Sequence, residues 1–186
     1  MLNNVLDFIV KRRVKFSFLF AIIFFVIVKP NFTSIIVGFL VSVCGECIRT
    51  WASGYIMKNK LLAKEGPYSL VRHPLYLGSF IIGIGASIMG NSEEFFLIFL
   101  GIFLLVYLRL MKKEEVDMER LFGKEFFEYR NNTPMLIPGL KSLKEIGKLF
   151  SNNFSWSLVK KHKEYNAWLG IVGSAAILLI KAYLRI

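Results

Sequence analysis

Phe95-Phe96-Leu97-Ile98-Phe99-Leu100-Gly101-Ile102-Phe103-Leu104-Leu105-Val106-Tyr107-Leu108-Arg109-Leu110-Met111 is an apolar run broken only by one glycine and one late arginine. A helix crossing a bilayer needs about 20 apolar residues, within a range near 17–25, and this run meets that length. Four more apolar stretches flank it: Phe16–Val28, Phe32–Ile48, Leu75–Met89 and Ala167–Leu184. The second and the last of the five also reach the required length. Phe16–Val28 and Leu75–Met89 are short unless they borrow flanking residues such as Val14 and Lys15, whose long side chain can snorkel to the interface.

The connections decide how these stretches pair. Lys29-Pro30-Asn31 joins the first two, and Gly90-Asn91-Ser92-Glu93-Glu94 joins the third to the fourth. Both are short enough only for tight helical hairpins. The expected fold is therefore an all-α integral membrane protein of about five transmembrane helices, two hairpins plus a C-terminal helix. Residues 1–186 form a single membrane domain, with polar material confined to Arg49–Pro74 and Lys112–Asn166. No internal repeat or low-complexity segment interrupts this plan.

Composition agrees. Of the 186 residues 55% are hydrophobic, 18 are Phe, and the mean hydropathy is +0.52, yet Lys and Arg number 24 against 13 Asp and Glu. A net charge of +11 can signal nucleic-acid binding, but here the basic residues bracket the apolar runs. Lys11, Arg12, Arg13 and Lys15 precede the first run; Arg49, Lys58, Lys60, Lys64 and Arg72 occupy the first polar segment; twelve more follow from Arg109 to Lys163. Thus 21 of the 24 fall on one side, leaving Lys29, Lys181 and Arg185 opposite. The positive-inside rule then predicts a cytoplasmic N-terminus, cytoplasmic polar segments and a C-terminus on the other side, with a prokaryotic cytoplasmic membrane as the expected location. The basic N-terminal start resembles a signal peptide, but Lys29-Pro30-Asn31 lacks a small-residue cleavage pattern and another apolar run follows at once, so an uncleaved anchor is expected.

Two cysteines, Cys44 and Cys47, sit in a Cys-Gly-Glu-Cys run without a second such pair or a nearby histidine, so buried, inert thiols are expected over a redox or metal pair. No metal site is expected elsewhere. Glu46, between them, is an ionisable residue inside an apolar run. It is either a functional group or a partner of Arg49 near the helix end. The lone His162, between Lys161 and Lys163, reads as a solvated surface residue. Residues 140–165, with Phe150, Phe154, Trp156 and Tyr165 among the lysines, read as an interfacial segment lying on anionic headgroups.

Chemistry concentrates in two places. Gly66-Pro67-Tyr68-Ser69-Leu70-Val71-Arg72-His73-Pro74-Leu75-Tyr76-Leu77-Gly78 contains two prolines that fix φ near −65° and push each preceding residue out of helix. Pro74 suits the first turn of a helix, where a missing N–H costs nothing. The run therefore delivers Arg72 and His73 to a helix N-terminus at the membrane surface, where free N–H groups can hold an anion. A plain membrane-entry loop anchored by Arg72 and Tyr76 is the competing reading. The second place is Arg109-Leu110-Met111-Lys112-Lys113-Glu114-Glu115, where the fourth helix leaves the bilayer. Its paired carboxylates either belong to a solvated helix, with Asp117 attracting Arg120 and Glu115 repelling Glu119, or face a cationic ligand.

Together, Gly66, Tyr68, Arg72-His73-Pro74, Tyr76, Gly78, then Glu114-Glu115, Phe122-Gly123, Tyr129 and Pro138 resemble the isoprenylcysteine carboxyl methyltransferases and related phospholipid methyltransferases. The resemblance covers about residues 49–139. It implies methyl transfer from S-adenosylmethionine to a membrane-soluble acceptor: a prenylcysteine-like carboxylate, a lipid amine or a small hydrophobic thiol. It also implies cytosolic cofactor-binding segments. Lys60, Leu61, Leu62 and Ala63 would line the adenosine side, Tyr68, His73, Pro74, Leu75 and Tyr76 the wall of the cleft, and Glu114 would meet the ammonium end. Arg109, Glu115 and Arg72 are the implied catalytic residues. The family often has an arginine one helical turn before the first Glu, where this chain has Leu110 beside Arg109, and the first tyrosine after Phe-Gly is Phe126 here. The implied task of the protein is to hold donor and acceptor in line, about 3–3.5 Å apart, with water excluded. The implied partners are the hydrophobic acceptor and membrane lipid, with no nucleic acid. The competing function is a non-catalytic membrane transport or assembly subunit using Glu46.

Overall fold

A computed structural model of the chain describes residues 21–57, 61–139, 142, 147–149 and 152–185. The basic residues before position 21, Lys58, Lys60, Lys141, Lys144 and Phe150 lie outside the described residues. Among the described residues the α-helices are, in order, α1 (21–27), α2 (Phe32–Ser53), α3 (Pro74–Met89), α4 (Glu93–Phe122), α5 (Lys124–Asn132), α6 (Trp156–Lys161) and α7 (Tyr165–Leu184). No strand occurs among the described residues.

Local sequence explains where the helices start and stop. Asn31 caps α2: its side-chain oxygen accepts from the Ser34 N–H at 2.8 Å, and the Ser34 hydroxyl accepts from the Asn31 N–H at 3.1 Å. Such reciprocal caps satisfy donors that helix geometry leaves open and contribute about 1 kcal/mol. Pro74 occupies the first position of α3, as its fixed φ predicts. The turn after α3 places Asn91 at φ 52°, a conformation asparagine tolerates, and the Ser92 hydroxyl then caps α4 by accepting from the Phe95 N–H at 3.3 Å.

Helices α2, α4 and α7 are each long and apolar enough to cross a membrane, while α3 is apolar but shorter. Their outward faces carry Leu40 (58% exposed), Leu97 (64%) and Leu169 (67%). Such surfaces are stable in lipid and unfavourable in water. The chain is an all-α integral membrane protein, as expected from its apolar runs. The short third run forms the shorter apolar helix α3, which packs closely on α2. A Cβ on Gly45 would sit 2.7 Å from the Gly78 carbonyl oxygen, and one on Gly78 would sit 2.6 Å from that of Gly45. Without side chains at these crossings the two backbones approach closely, which is how helices associate where lipid removes the hydrophobic drive.

At the end of the bundle away from the long loops, Phe24, Val28, Ile35, Met89, Phe95 and Leu178 form a buried cluster joining α1, α2, α3, α4 and α7. Lys181 donates to the carbonyls of Phe25 and Val26 at 2.8 Å each, satisfying acceptors that the end of α1 leaves open. Helix α4 is not uniform. Residues Phe103–Tyr107 form a wide π-helical turn between α-helical halves Glu93–Ile102 and Leu108–Phe122. The rings of Phe80, Phe103, Tyr107 and Tyr76 run along this turn, with Phe103 4.7 Å from both Phe80 and Tyr107 and Tyr107 5.6 Å from Tyr76. That aromatic seam fastens α4 to α3 and leads to the polar end of the bundle.

Candidate active site at the loop end of the bundle

The connection between α2 and α3 ends with a 3-10 turn, Gly66–Ser69, a few residues before α3. Gly66 has φ +58°, and a Cβ there would lie 2.5 Å from the Tyr55 ring, so both conformation and space call for glycine. The loop is then fixed by a distant segment. The Arg72 and His73 N–H groups donate to the carbonyls of Pro134 and Met135 at 2.9 and 3.1 Å, and the Tyr129 hydroxyl donates to the Tyr68 carbonyl at 2.7 Å. Burial pushes the Tyr129 phenol above its ordinary range, so it stays a neutral donor.

Arg72 sits at the centre of this arrangement. Its Nε donates to Glu115 Oε1 at 2.7 Å, and its Nη1 donates to the carbonyls of Arg130 and Thr133, the former at 3.1 Å. His73 is buried, with Nε2 3.3 Å from the same Glu115 oxygen and Nδ1 3.7 Å from Glu114 Oε2. The two adjacent carboxylates of α4 therefore differ. Glu115 is buried and shared by Arg72 and His73. Glu114 is partly exposed, and its Oε1 accepts from the Tyr76 hydroxyl at 2.6 Å.

Glu114 and Tyr76 face a cavity of about 510 Å³. Leu61, Leu62, Ala63, Tyr68, Arg72 and Leu75 also line it, so most of the residues expected from the sequence meet at one place. His73, Pro74 and Glu115 lie behind this wall rather than on it. Arg109 is exposed on α4 and is not among the lining residues. Lys60 lies outside the described residues. The neighbouring Leu110 position also contributes nothing to the lining, and Phe126 is fully buried against Tyr129 with ring centroids 6.3 Å apart.

The Tyr68 hydroxyl is buried without a hydrogen-bond partner among the described residues, although its ring lines the cavity. Burial drives its phenol pKa upward, which leaves a neutral donor and acceptor. A buried polar group of this kind is costly unless a ligand satisfies it.

Other lining residues carry a weaker signal in the sequence. Tyr107 lies seven residues before Glu114 on the same helix, a spacing that repeats on one face and was a usable signal. Arg49, Ser79, His162 and Glu164 also line the cavity. Glu46 is the partner of Arg49 that the helical spacing allowed, with Glu46 Oε2 3.2 Å from Arg49 Nε as an ion pair that lacks hydrogen-bond alignment. His162 is not simply solvated, since its Nε2 lies 3.2 Å from the Ile56 carbonyl. Cys44 and Cys47 are not buried as expected: both thiols are exposed on the outward face of α2, where lipid-facing side chains need no core, and neither is on the cavity lining. Among the described residues no group of His, Cys, Asp and Glu could hold a metal ion.

Residues 35–125 match the phospholipid methyltransferase family. Over 94 residues the chain is 35% identical to a nickel-cobalt-cadmium resistance protein of Alcaligenes xylosoxydans xylosoxydans, covering 50% of this chain and 44% of that protein. It is 26% identical over 121 residues to the protein-S-isoprenylcysteine O-methyltransferase of Homo sapiens, covering 59% and 43%. It is 38% identical over 71 residues to the methanethiol S-methyltransferase of Crocosphaera subtropica, covering 38% and 27%. The chain thus spans less than half the length of each of these relatives. No solved structure matches it.

Proposed function

We propose, from the match of residues 35–125 to the phospholipid methyltransferase family, that the chain is an S-adenosylmethionine-dependent methyltransferase acting on a hydrophobic, membrane-dissolved acceptor. When bound, the cofactor supplies a methyl group already activated on a sulfonium. The observation that carries the reading is the convergence of Tyr68, Tyr76 and Glu114 on one cavity of about 510 Å³. Glu114 provides a carboxylate for an ammonium group, aimed by the Tyr76 hydroxyl. Tyr68 supplies an unpaired buried hydroxyl for a polar edge of the ligand. Leu61, Leu62 and Ala63 offer an apolar strip for a flat aromatic base. The donor set thus suits a ligand that is both cationic and aromatic.

Arg72, His73 and Glu115 act as positioning residues. They tie the loop to α4 and to the segment after α5, holding Tyr76 and Glu114 in place from behind. Apolar Leu75, Met118, Leu121 and Phe122 line the same cavity and exclude water from the reacting atoms. The charge partition supports a cytosolic position for this end of the bundle and the N-terminus, with the C-terminus opposite. A charged donor would then enter from water and an apolar acceptor from lipid. The exposed position of Arg109 gives it no part in this scheme.

The test is calorimetric titration of S-adenosylhomocysteine into the full chain in detergent. Glu114→Ala is expected to weaken binding by about 10- to 100-fold, the range for losing a hydrogen bond to a charged group. A chain that does not bind, or binds equally well after the substitution, would overturn the proposal.

A further inference from the structure

The cavity has a second polar wall, and part of it comes from outside the family segment. Glu164 precedes α7, beyond residues 35–125, yet it lines the cavity and is only 6% exposed. Its Oε2 accepts from Arg49 Nη2 at 2.9 Å. The same guanidinium faces Glu46 through Nε at 3.2 Å and donates to the Ser79 hydroxyl through Nη1. Glu46 is fully buried and accepts from the Thr50 hydroxyl at 3.2 Å, and Trp168 Nε1 donates to Thr50 at 3.0 Å. One arginine is therefore shared between two carboxylates, and a short relay of hydrogen bonds locks α7 against α2.

This wall has a definite polarity. Arg49 and Arg72 are the two guanidinium groups lining the cavity among the described residues, and each is already paired with carboxylate. Glu164, by contrast, gives one oxygen to Arg49, and its Oε1 accepts no hydrogen bond among the described residues. A carboxylate ligand at this wall would lie beside Glu164 without a guanidinium of its own. A head carrying N–H, S–H or O–H would find a ready acceptor. Arg49 and Ser79 lie within the ends of α2 and α3, so this wall is on the lipid side of the loop that carries Tyr68.

Resting on the methyl-transfer reading, we infer that Glu164 is a specificity-determining residue that favours acceptors with a hydrogen-bond-donating head, such as an amine or thiol, over carboxylates. A purely mechanical role for Glu164, fastening α7 to α2, would make it important for stability but indifferent to the ligand's head.

The experiment uses the full chain in dodecyl maltoside, with and without S-adenosylhomocysteine, titrated with three probes sharing one tail: decylamine, decanethiol and decanoate. The amine or the thiol is expected to bind about tenfold more tightly than decanoate, the equivalent of one well-placed hydrogen bond. Glu164→Gln keeps an oxygen for Arg49 and removes the charge. It is expected to erase most of that preference; the unfolding temperature falls as the Arg49 pair weakens, and S-adenosylhomocysteine affinity moves less than the probe ranking. Decanoate binding as tightly as the others, no probe binding, or a preference that survives Glu164→Gln overturns the inference. Should Glu164→Gln not fold, the probe ranking on the unaltered chain decides alone. Failure to bind S-adenosylhomocysteine would instead count against methyl transfer, and the probe ranking without it would still be readable.

Discussion

Two arginines flank the same cavity, and the protein restrains them in different ways. Arg72 belongs to a loop, and its side chain is 10% exposed. It is gripped by one carboxylate and by two backbone carbonyls. Arg49 belongs to a membrane helix, is 24% exposed, and is gripped by two carboxylates and a hydroxyl. The first set of contacts is a folding device, because backbone acceptors fix where the chain runs. The second is a charge device, because it sets what the cavity wall presents to a ligand. The same residue type thus shapes the site in one region and tunes it in the other.

That contrast can be broken by substitution. The largest effect is expected for Arg72→Ala, which strands Glu115 and two carbonyls in a nearly closed environment. Removing one partner of a buried ion pair costs about 3–5 kcal/mol. Thermal unfolding in detergent should show a loss of that order, and an unchanged midpoint would refute the folding role. Arg49→Met should cost less, ~2 kcal/mol, because water reaches part of the guanidinium site and replaces some of its contacts. Its sharper signature should be altered ligand binding, and a larger stability loss than Arg72→Ala would reverse the contrast. The smallest change is Tyr129→Phe, which deletes only the hydrogen bond to the Tyr68 carbonyl. A loss near 1 kcal/mol is expected, read from the same unfolding curve.

The legibility of the molecule followed the range of its interactions. Helix starts at Asn31, Pro74 and Ser92 depend on residues within one turn, and all could be read from sequence. So could the glycine turn at Gly66 and the apolar runs that became α2, α4 and α7. The meeting of Tyr76 with Glu114 became legible through resemblance, since the two lie 38 positions apart. The Arg49–Glu164 pair spans 115 positions and lies partly outside the matched segment, so neither local pattern nor resemblance pointed to it. Arg72 was visible as a conspicuous residue in a proline-framed loop. Its use as a clamp on carbonyls was not visible, because those acceptors belong to backbone and carry no side-chain signature. Arg109, suggested by adjacency to the Leu110 position, is exposed and off the cavity lining, and one residue along a helix turns a side chain by about 100°.

The wide turn in α4 has a consequence of the same geometric kind. By enclosing an additional residue, Phe103–Tyr107 shifts the phase of everything downstream relative to the lipid-crossing half of the helix. The first half can therefore keep the rotation that suits its packing on α3. The second half keeps the rotation that points Glu114 toward Tyr76 and buries Glu115. A regular α-helix would tie these two rotations together. The wide turn uncouples them, so the membrane anchor and the polar site each satisfy their own angular requirement on one continuous helix.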